Sequence, residues 1–204
     1  MTLTRTHLYV KTLIRQDPNL ETLFDTVKSV TIPFDHDGFH FLIFTITGQQ
    51  VSAHVAHIIF HRLESIVSTL NPHALLDVDD QALREIGLSF AKIQTMKRLA
   101  NYCVENNFNF NTFLDKTMTD KFISIKGIGL WTMDMYEMFV LKNLNHFSFK
   151  DLGLIEGLRH IYSIKKLEID DMKKVSLLWS PYQSIVAHFL WEYWDVHHKG
   201  KRKL

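Results

Sequence analysis

Residues 123–132 run Ile123-Ser124-Ile125-Lys126-Gly127-Ile128-Gly129-Leu130-Trp131-Thr132, and the folding of this stretch decides the architecture of the chain. Upstream, Thr119 is a candidate cap for a short helix through Ile125. Downstream, Leu130 to Leu144 carries Trp131, Met135, Met138, Phe139, Val140 and Leu141, apolar nearly all round, as expected of a helix inside the molecule. The pattern therefore predicts two helices, over 119–144, joined by a two-glycine turn. Glycine permits positive φ and lets another chain approach closely. The exposed amides opening the second helix, with its dipole, form a seat for an anion such as phosphate. Taken alone, Gly-x-Gly between helices is more readily an ordinary turn.

Outward from this stretch, helical signals dominate. Leu8 to Ile14 and Leu20 to Val27 are short periodic segments separated by Asp17-Pro18-Asn19. Ser52 is a candidate cap for a helix to about Leu70, with Asn71-Pro72 ending it. Leu83 to Ile86 gives another helical turn stopped by Gly87, and Ala91 to Val104 places Ile93, Met96, Leu99, Ala100 and Cys103 at helical spacing. Ser180-Pro181 is the expected start of a last helix carrying Ile185, Phe189, Leu190, Trp191 and Trp194. One segment disagrees. Phe39 to Ile46, after an Asp37-Gly38 turn signal, has strand-like composition, and a buried helix is equally compatible with so apolar a run.

The 204 residues fit one compact unit, or two small lobes sharing a core. Fifteen Phe and four Trp supply that core, while eight Gly and four Pro leave little room for a loop-rich all-β fold. Lys plus Arg number 23 against 22 Asp plus Glu, so any contact with nucleic acid must come from a local patch or from backbone amides. The basic run Lys199-Gly200-Lys201-Arg202-Lys203 is simplest as a solvated terminus. A single cysteine, Cys103, excludes an intramolecular disulfide and a cysteine-ligated iron-sulfur cluster. Gly38 to Phe60 lacks Asp, Glu, Lys and Arg, yet Gly48-Gln49-Gln50, Ser52, His54 and His57 make it a poor bilayer span. Arg5, Lys11 and Arg15 interrupt any signal peptide. The expectation is a cytoplasmic protein without a membrane partner.

Asp151 lies 24 residues after Gly127, at the start of a helix from Leu152 to Tyr162. An aspartate there is a favoured helix cap, worth ~1 kcal/mol, and a capping carboxylate is also held ionised and fixed in place. Structural and chemical roles can coexist.

Five blocks in order carry a wider pattern. They are Thr47-Gly48-Gln49-Gln50-Val51-Ser52; Leu83 to Ser89 with Lys92; Ile125 to Asp134 with Tyr136; Asp151-Leu152-Gly153-Leu154; and Trp179 to Ser184 followed by Trp191. Together they resemble the helix-hairpin-helix (HhH-GPD) DNA glycosylase superfamily, in its 3-methyladenine DNA glycosylase II (AlkA-like) branch. The resemblance spans about residues 40 to 195.

It implies an all-α fold of two helical lobes with a DNA-binding cleft between them, within a single compact catalytic unit over 1–204. The central lobe would take about 50–145, and the second lobe about 1–49 plus 146–204. Asp151 would be the catalytic aspartate and Gln50 the side chain inserted into the DNA stack. Ser52, Lys126, Gly127, Ile128, Gly129 and Thr132 would contact DNA. Trp131, Trp191, Phe44, Met135 and Tyr136 would line the base pocket. The main-chain carbonyls of Ile123, Ile125 and Ile128 match those that hold a sodium or potassium ion in some members. No other cofactor is implied.

Lyase-competent relatives carry a lysine two residues after the second hairpin glycine. Trp131 stands there, which predicts base removal without strand cutting. The implied reaction is hydrolysis of the N-glycosidic bond of alkylated purines, of the 3-methyladenine and 7-methylguanine type. The expected partner is double-stranded DNA containing damaged bases, bound by a nucleoid-associated monomer. Met133, Met135 and Gln183 depart from common residues of the family, so a glycosylase for other damaged or mispaired bases is the nearest alternative. A non-catalytic helix-hairpin-helix DNA-binding protein is the other, and Asp151 argues against it. His54, His57 and His61 share a helical face that reads as solvated, with DNA contact an option and no HExxH pattern to favour a metal.

Overall fold

The computed structural model describes residues 1–32, 37–67, 69–108, 110, 116–164 and 168–198; the basic run at 199–203 lies outside them. The fold is all-α. In chain order the elements are β1 (Thr2–Thr4), α1 (Leu8–Gln16), a 3-10 turn (Pro18–Leu20), α2 (Glu21–Thr26), β2 (Ser29–Thr31), α3 (Gly38–Gly48), α4 (Ala53–Ile66), α5 (Pro72–Asp77), α6 (Asp80–Glu85) and α7 (Phe90–Glu105). They continue with α8 (Lys116–Ser124), α9 (Leu130–Phe139), α10 (Leu152–Ile161), α11 (Ile169–Leu177) and α12 (Gln183–His198). Two compact units result. One joins Met1–Phe34 to Glu137–Leu204, and the other is Asp35–Tyr136.

In the first unit, β1 and β2 form an antiparallel ribbon that pairs Leu3 with Val30. The sequence pattern gave no sign of it, because each strand is only three residues long. The unit is organised around a buried carboxylate. Asp17 is 1% exposed, and burying an ionised group is costly unless hydrogen bonds replace its water. Its Oδ1 accepts from Asn19 N at 3.1 Å and Asn19 Nδ2 at 3.0 Å. Its Oδ2 accepts from Trp179 Nε1 at 2.8 Å and from the Tyr162 hydroxyl. Burial, and then the Asp17 carboxylate itself, push the Tyr162 hydroxyl far above its usual range, so it remains a donor. Three distant parts of the chain therefore meet on one side chain.

The second unit settles the ambiguous apolar run. Phe39 to Ile46 belongs to helix α3, in which eight of eleven residues are buried. Asp37 caps it, its carboxylate accepting from His40 N at 2.9 Å, so the expected turn signal is a helix start. Buried Thr45 and Thr47 return their hydroxyls to the carbonyls of Phe41 and Ile43, each at 2.8 Å. A helix satisfies its own backbone, which suits a segment enclosed by other helices.

Several boundaries differ from expectation. Helix α4 stops at Ile66 rather than near Leu70, and Asn71 caps α5 by accepting from Ala74 N at 3.0 Å. Asn71-Pro72 thus begins a helix rather than only ending one. Thr119 lies inside α8 and not at its start. Helix α9 ends at Phe139 instead of Leu144, because Lys142 takes a left-handed φ of 59° and Asn143 N turns back to Glu137 O at 3.0 Å. The single hydroxyl proton of Ser184 is then shared between the carbonyls of Asn143 and His146, which lie 2.6 and 2.7 Å from its oxygen. Ser180-Pro181 forms a turn, and α12 starts at Gln183. Cys103 is a core thiol, pushed up to about 12 by burial.

Replacing Asp17 by alanine strands the Trp179 and Tyr162 donors in the interior. We expect a loss of about 3 kcal/mol of stability, read as a lower urea midpoint at unchanged m-value.

Candidate active site

The two-glycine turn lies in the second unit between α8 and α9. Ile125 N bonds to Phe122 O, and Ile128 N to Ile125 O, each at 3.0 Å. Gly127 has a φ of 103°, a region that side chains disfavour. A Cβ there would also meet Thr95 Oγ1 at 2.0 Å, so two independent constraints demand glycine. Gly129 is different. It is exposed, and a Cβ there would meet nothing within 4 Å.

Side chains from α7 and from the residue that follows α3 tie the turn down. Lys126 O accepts from Thr95 Oγ1 at 3.3 Å and from Arg98 NH1 at 3.2 Å, both on α7. Gly127 O accepts from Gln49 Nε2 at 3.1 Å, and the same amide reaches Thr132 Oγ1 at 3.3 Å. The carbonyls thus point back into the protein. The Lys126 side chain and Gly129 lie at the surface, while Ile128 and Thr132 are buried, so Ile128 offers its main chain and not its side chain.

Gln50 follows α3 as an exposed residue in the left-handed region, with φ 58°. Non-glycine residues there are uncommon, and such strain concentrates at functional positions. Just behind it, Lys92 Nζ donates to Thr47 O at 2.8 Å and holds the end of α3; burial lowers this ammonium's pKa. Ser52 caps α4 through Val55 N at 3.3 Å. Phe44 is half-buried against the rings of His57 and Phe60, at 5.0 and 5.1 Å. Along α9, Trp131 is half-buried while Met135 and Tyr136 are buried. His54, His57 and His61 are exposed.

Asp151 and Trp191 belong to the first unit. Asp151 caps α10 with extended backbone, and its Oδ1 accepts from Leu154 N at 3.0 Å. The same oxygen accepts from Trp191 Nε1 at 2.9 Å. Gly153 makes room for this pairing, since a Cβ there would lie 3.2 Å from Asp151 Oδ1 and 3.3 Å from Trp191 Cδ1. The Trp191 indole stacks on Phe139 with centroids 5.7 Å apart. His188 meets both rings edge-on, at 4.9 Å from Phe139 and 5.4 Å from Trp191. Burial lowers the His188 imidazole to about 4, so it is neutral at physiological pH.

Sequence reasoning missed Gln49, Phe139 and His188. Gln49 stands next to a residue it did single out, and His188 is the one polar residue within Ile185 to Leu190.

Residues 43–181 match the family described as HhH-GPD superfamily base excision DNA repair proteins. The chain belongs to this superfamily. It is 26% identical over 159 residues to DNA-3-methyladenine glycosylase 1 of Schizosaccharomyces pombe, covering 74% of this chain and 70% of that protein. The crystal structure of a DNA-3-methyladenine glycosidase from Bacillus halodurans superposes with a TM-score of 0.79 at 27% identity, over 100% of this chain and 96% of that one. A 3-methyladenine DNA glycosylase from fission yeast, solved with abasic DNA, shares the fold with a TM-score of 0.80 at 23% identity, over 95% of this chain and 99% of that one.

Two outcomes follow from this geometry. Gly127→Ala should lower the melting temperature, whereas Gly129→Ala should leave it within about a degree, because only the first position is crowded and left-handed. His188 titrates at about 4 when folded and near 6.5 when unfolded, so the unfolded state binds more protons between those values. Its stabilising contribution is full above about pH 6.5 and is lost as pH falls toward 4, a change of about 3 kcal/mol. Urea titrations at pH 7 and pH 4.5 should show a steeper loss for wild type than for His188→Phe.

Proposed function

We propose that this protein is a monofunctional DNA glycosylase of base excision repair that removes alkylated purines from double-stranded DNA. The observation that carries the reading is Asp151. One of its oxygens is fixed by a helix amide and by the indole of Trp191, in a chain of the HhH-GPD superfamily. The names of its relatives support 3-methyladenine as the type of base, and 7-methylguanine, a purine likewise alkylated at a ring nitrogen, belongs to the same reading.

A base inside the duplex cannot be reached, so the nucleotide is first swung out of the stack. The amides that open α9 receive DNA phosphates, with Lys126 beside them, and the open space at Gly129 allows the backbone to approach. The left-handed backbone at Gln50 presents its side chain to the gap left in the duplex. Alkylation at a ring nitrogen makes the purine cationic. When the C1′–N bond breaks, its electron pair neutralises the departing base, and positive charge develops on the sugar. The Asp151 carboxylate stabilises that charge and orients the water that adds to C1′; the water's proton is lost to solvent. Trp191, beside Asp151, offers an aromatic face to a cationic ring, an attraction of ~0.5–2 kcal/mol.

The three carbonyls of Ile123, Ile125 and Ile128 are oxygen donors suited to a sodium or potassium ion, which would add positive charge beneath a phosphate. Ile125 O already accepts from Ile128 N and keeps a second lone pair for it. Trp131 has no amine to form a Schiff base with the sugar, so the product is an intact strand with an abasic site. The protein acts as a monomer, in the cytoplasm at the nucleoid.

The test is a panel of lesion-containing duplexes under single-turnover conditions, scored for free base and for strand breaks with and without alkali. Wild type should release alkylated purines and give breaks only after alkali. Asp151→Asn should lose at least ~100-fold in release while binding abasic DNA as well as wild type. Equal release by both proteins would sink the role of Asp151, and breaks without alkali would refute the reading of Trp131.

A further inference from the structure

Within helix α12 the segment Ile185 to Leu190 is buried throughout, and five of its six residues are apolar. The sixth, His188, is an exception with a cost. Its Nε2 is buried and has no hydrogen-bond partner among the described residues, although native interiors rarely leave a polar nitrogen unsatisfied. A phenylalanine, though larger, would keep the edge-on contacts with Phe139 and Trp191 and carry no orphaned atom. The location of the ring narrows the explanation. It touches the two aromatic rings that stack beside Asp151, one of which donates to that carboxylate.

We propose that His188 is a base-selecting residue of the excision site, whose imidazole takes its missing hydrogen bond from the extruded base. Phe139, Trp191 and His188 then form one wall, with an aromatic face for the ring of the base and one polar atom for its edge. The inference rests on the assignment of Asp151 and Trp191 to that site. Burial serves the same end: an imidazole that stays neutral well below physiological pH adds no positive charge to repel a cationic purine. Nε2 can accept from an exocyclic amine or donate to a ring nitrogen or carbonyl, according to tautomer. Either bond is lost when the base is gone. His188 should therefore matter for the base and not for the abasic product.

Two measurements on the full-length protein decide it. In the first, imidazole ¹⁵N resonances are recorded while free 3-methyladenine is added. The His188 Nε2 signal should move to a hydrogen-bonded position as the base saturates. In the second, single-turnover release of 7-methylguanine and 3-methyladenine is compared for wild type, His188→Phe and His188→Asn. The phenylalanine variant should fall ~10-fold or more, and asparagine should recover part of that loss. Affinity for abasic DNA should stay at the wild-type value in both. An unmoved Nε2 signal at saturating base would overturn the proposal, as would wild-type release by His188→Phe. A general distortion would instead weaken abasic-DNA binding in both variants, which also counts against it. Wild-type protein that released no base from any duplex would defeat the excision reading itself, whatever His188 does.

Discussion

Two hydrogen bonds converge on one carboxylate oxygen, and the packing of the proposed site depends on them. Asp151 Oδ1 accepts from the Leu154 amide at the start of α10 and from the Trp191 indole on α12. The first bond fixes the carboxylate to the helix it caps, and the second fixes it to a neighbouring helix. Two glycines make the second bond geometrically available: Gly153 lies against the indole, and Gly157 lies against Leu190 one turn later. A group meant to stabilise charge in a transition state must not reorganise as that charge appears. In the role proposed for Asp151, that reorganisation is removed in advance by ordinary capping and packing. The same indole stacks on Phe139 and meets His188, so the carboxylate and its aromatic surroundings form one packed cluster.

The hairpin follows a comparable logic in the other unit. Its carbonyls are drawn toward α7 and α3 by Thr95, Arg98 and Gln49, which fixes the turn. With Gly127 crowded by Thr95 and Gly129 facing open space, the two glycines serve different ends. The first lets the protein pack on itself, and the second leaves room for something outside it. A nearly neutral chain can in this way bind a polyanion through local backbone geometry rather than through a broad basic surface.

Much of this was legible in the sequence, for reasons that differ by element. Ser52 and Asp151 were readable because capping is local: a side chain reaches an amide three residues ahead. The long amphipathic α7 was readable from its period. Less was visible where a distant partner decides the outcome. Helix α9 stops at Phe139 with the following carbonyls served by Ser184, about 40 residues on, and nothing near residue 140 announces it. Asp17 looked like turn punctuation, yet Tyr162 and Trp179 make it the anchor of its unit.

The sequence by itself determined the helical class and the two-glycine turn, and it marked the residues proposed to carry chemistry, because caps, glycines and apolar periods act over a few positions. Tertiary structure decided the rest. It made Phe39 to Ile46 a helix by enclosing it in a unit where a strand would have no ladder partner among the described residues. It gave Gln49, beside the more conspicuous Gln50, the task of holding the hairpin. It also left His188 Nε2 without a partner in an apolar interior, a fact no local pattern records. Hydrogen-bond satisfaction is a property of the folded neighbourhood, and only the packed chain shows which polar atoms are paired within it and which are not.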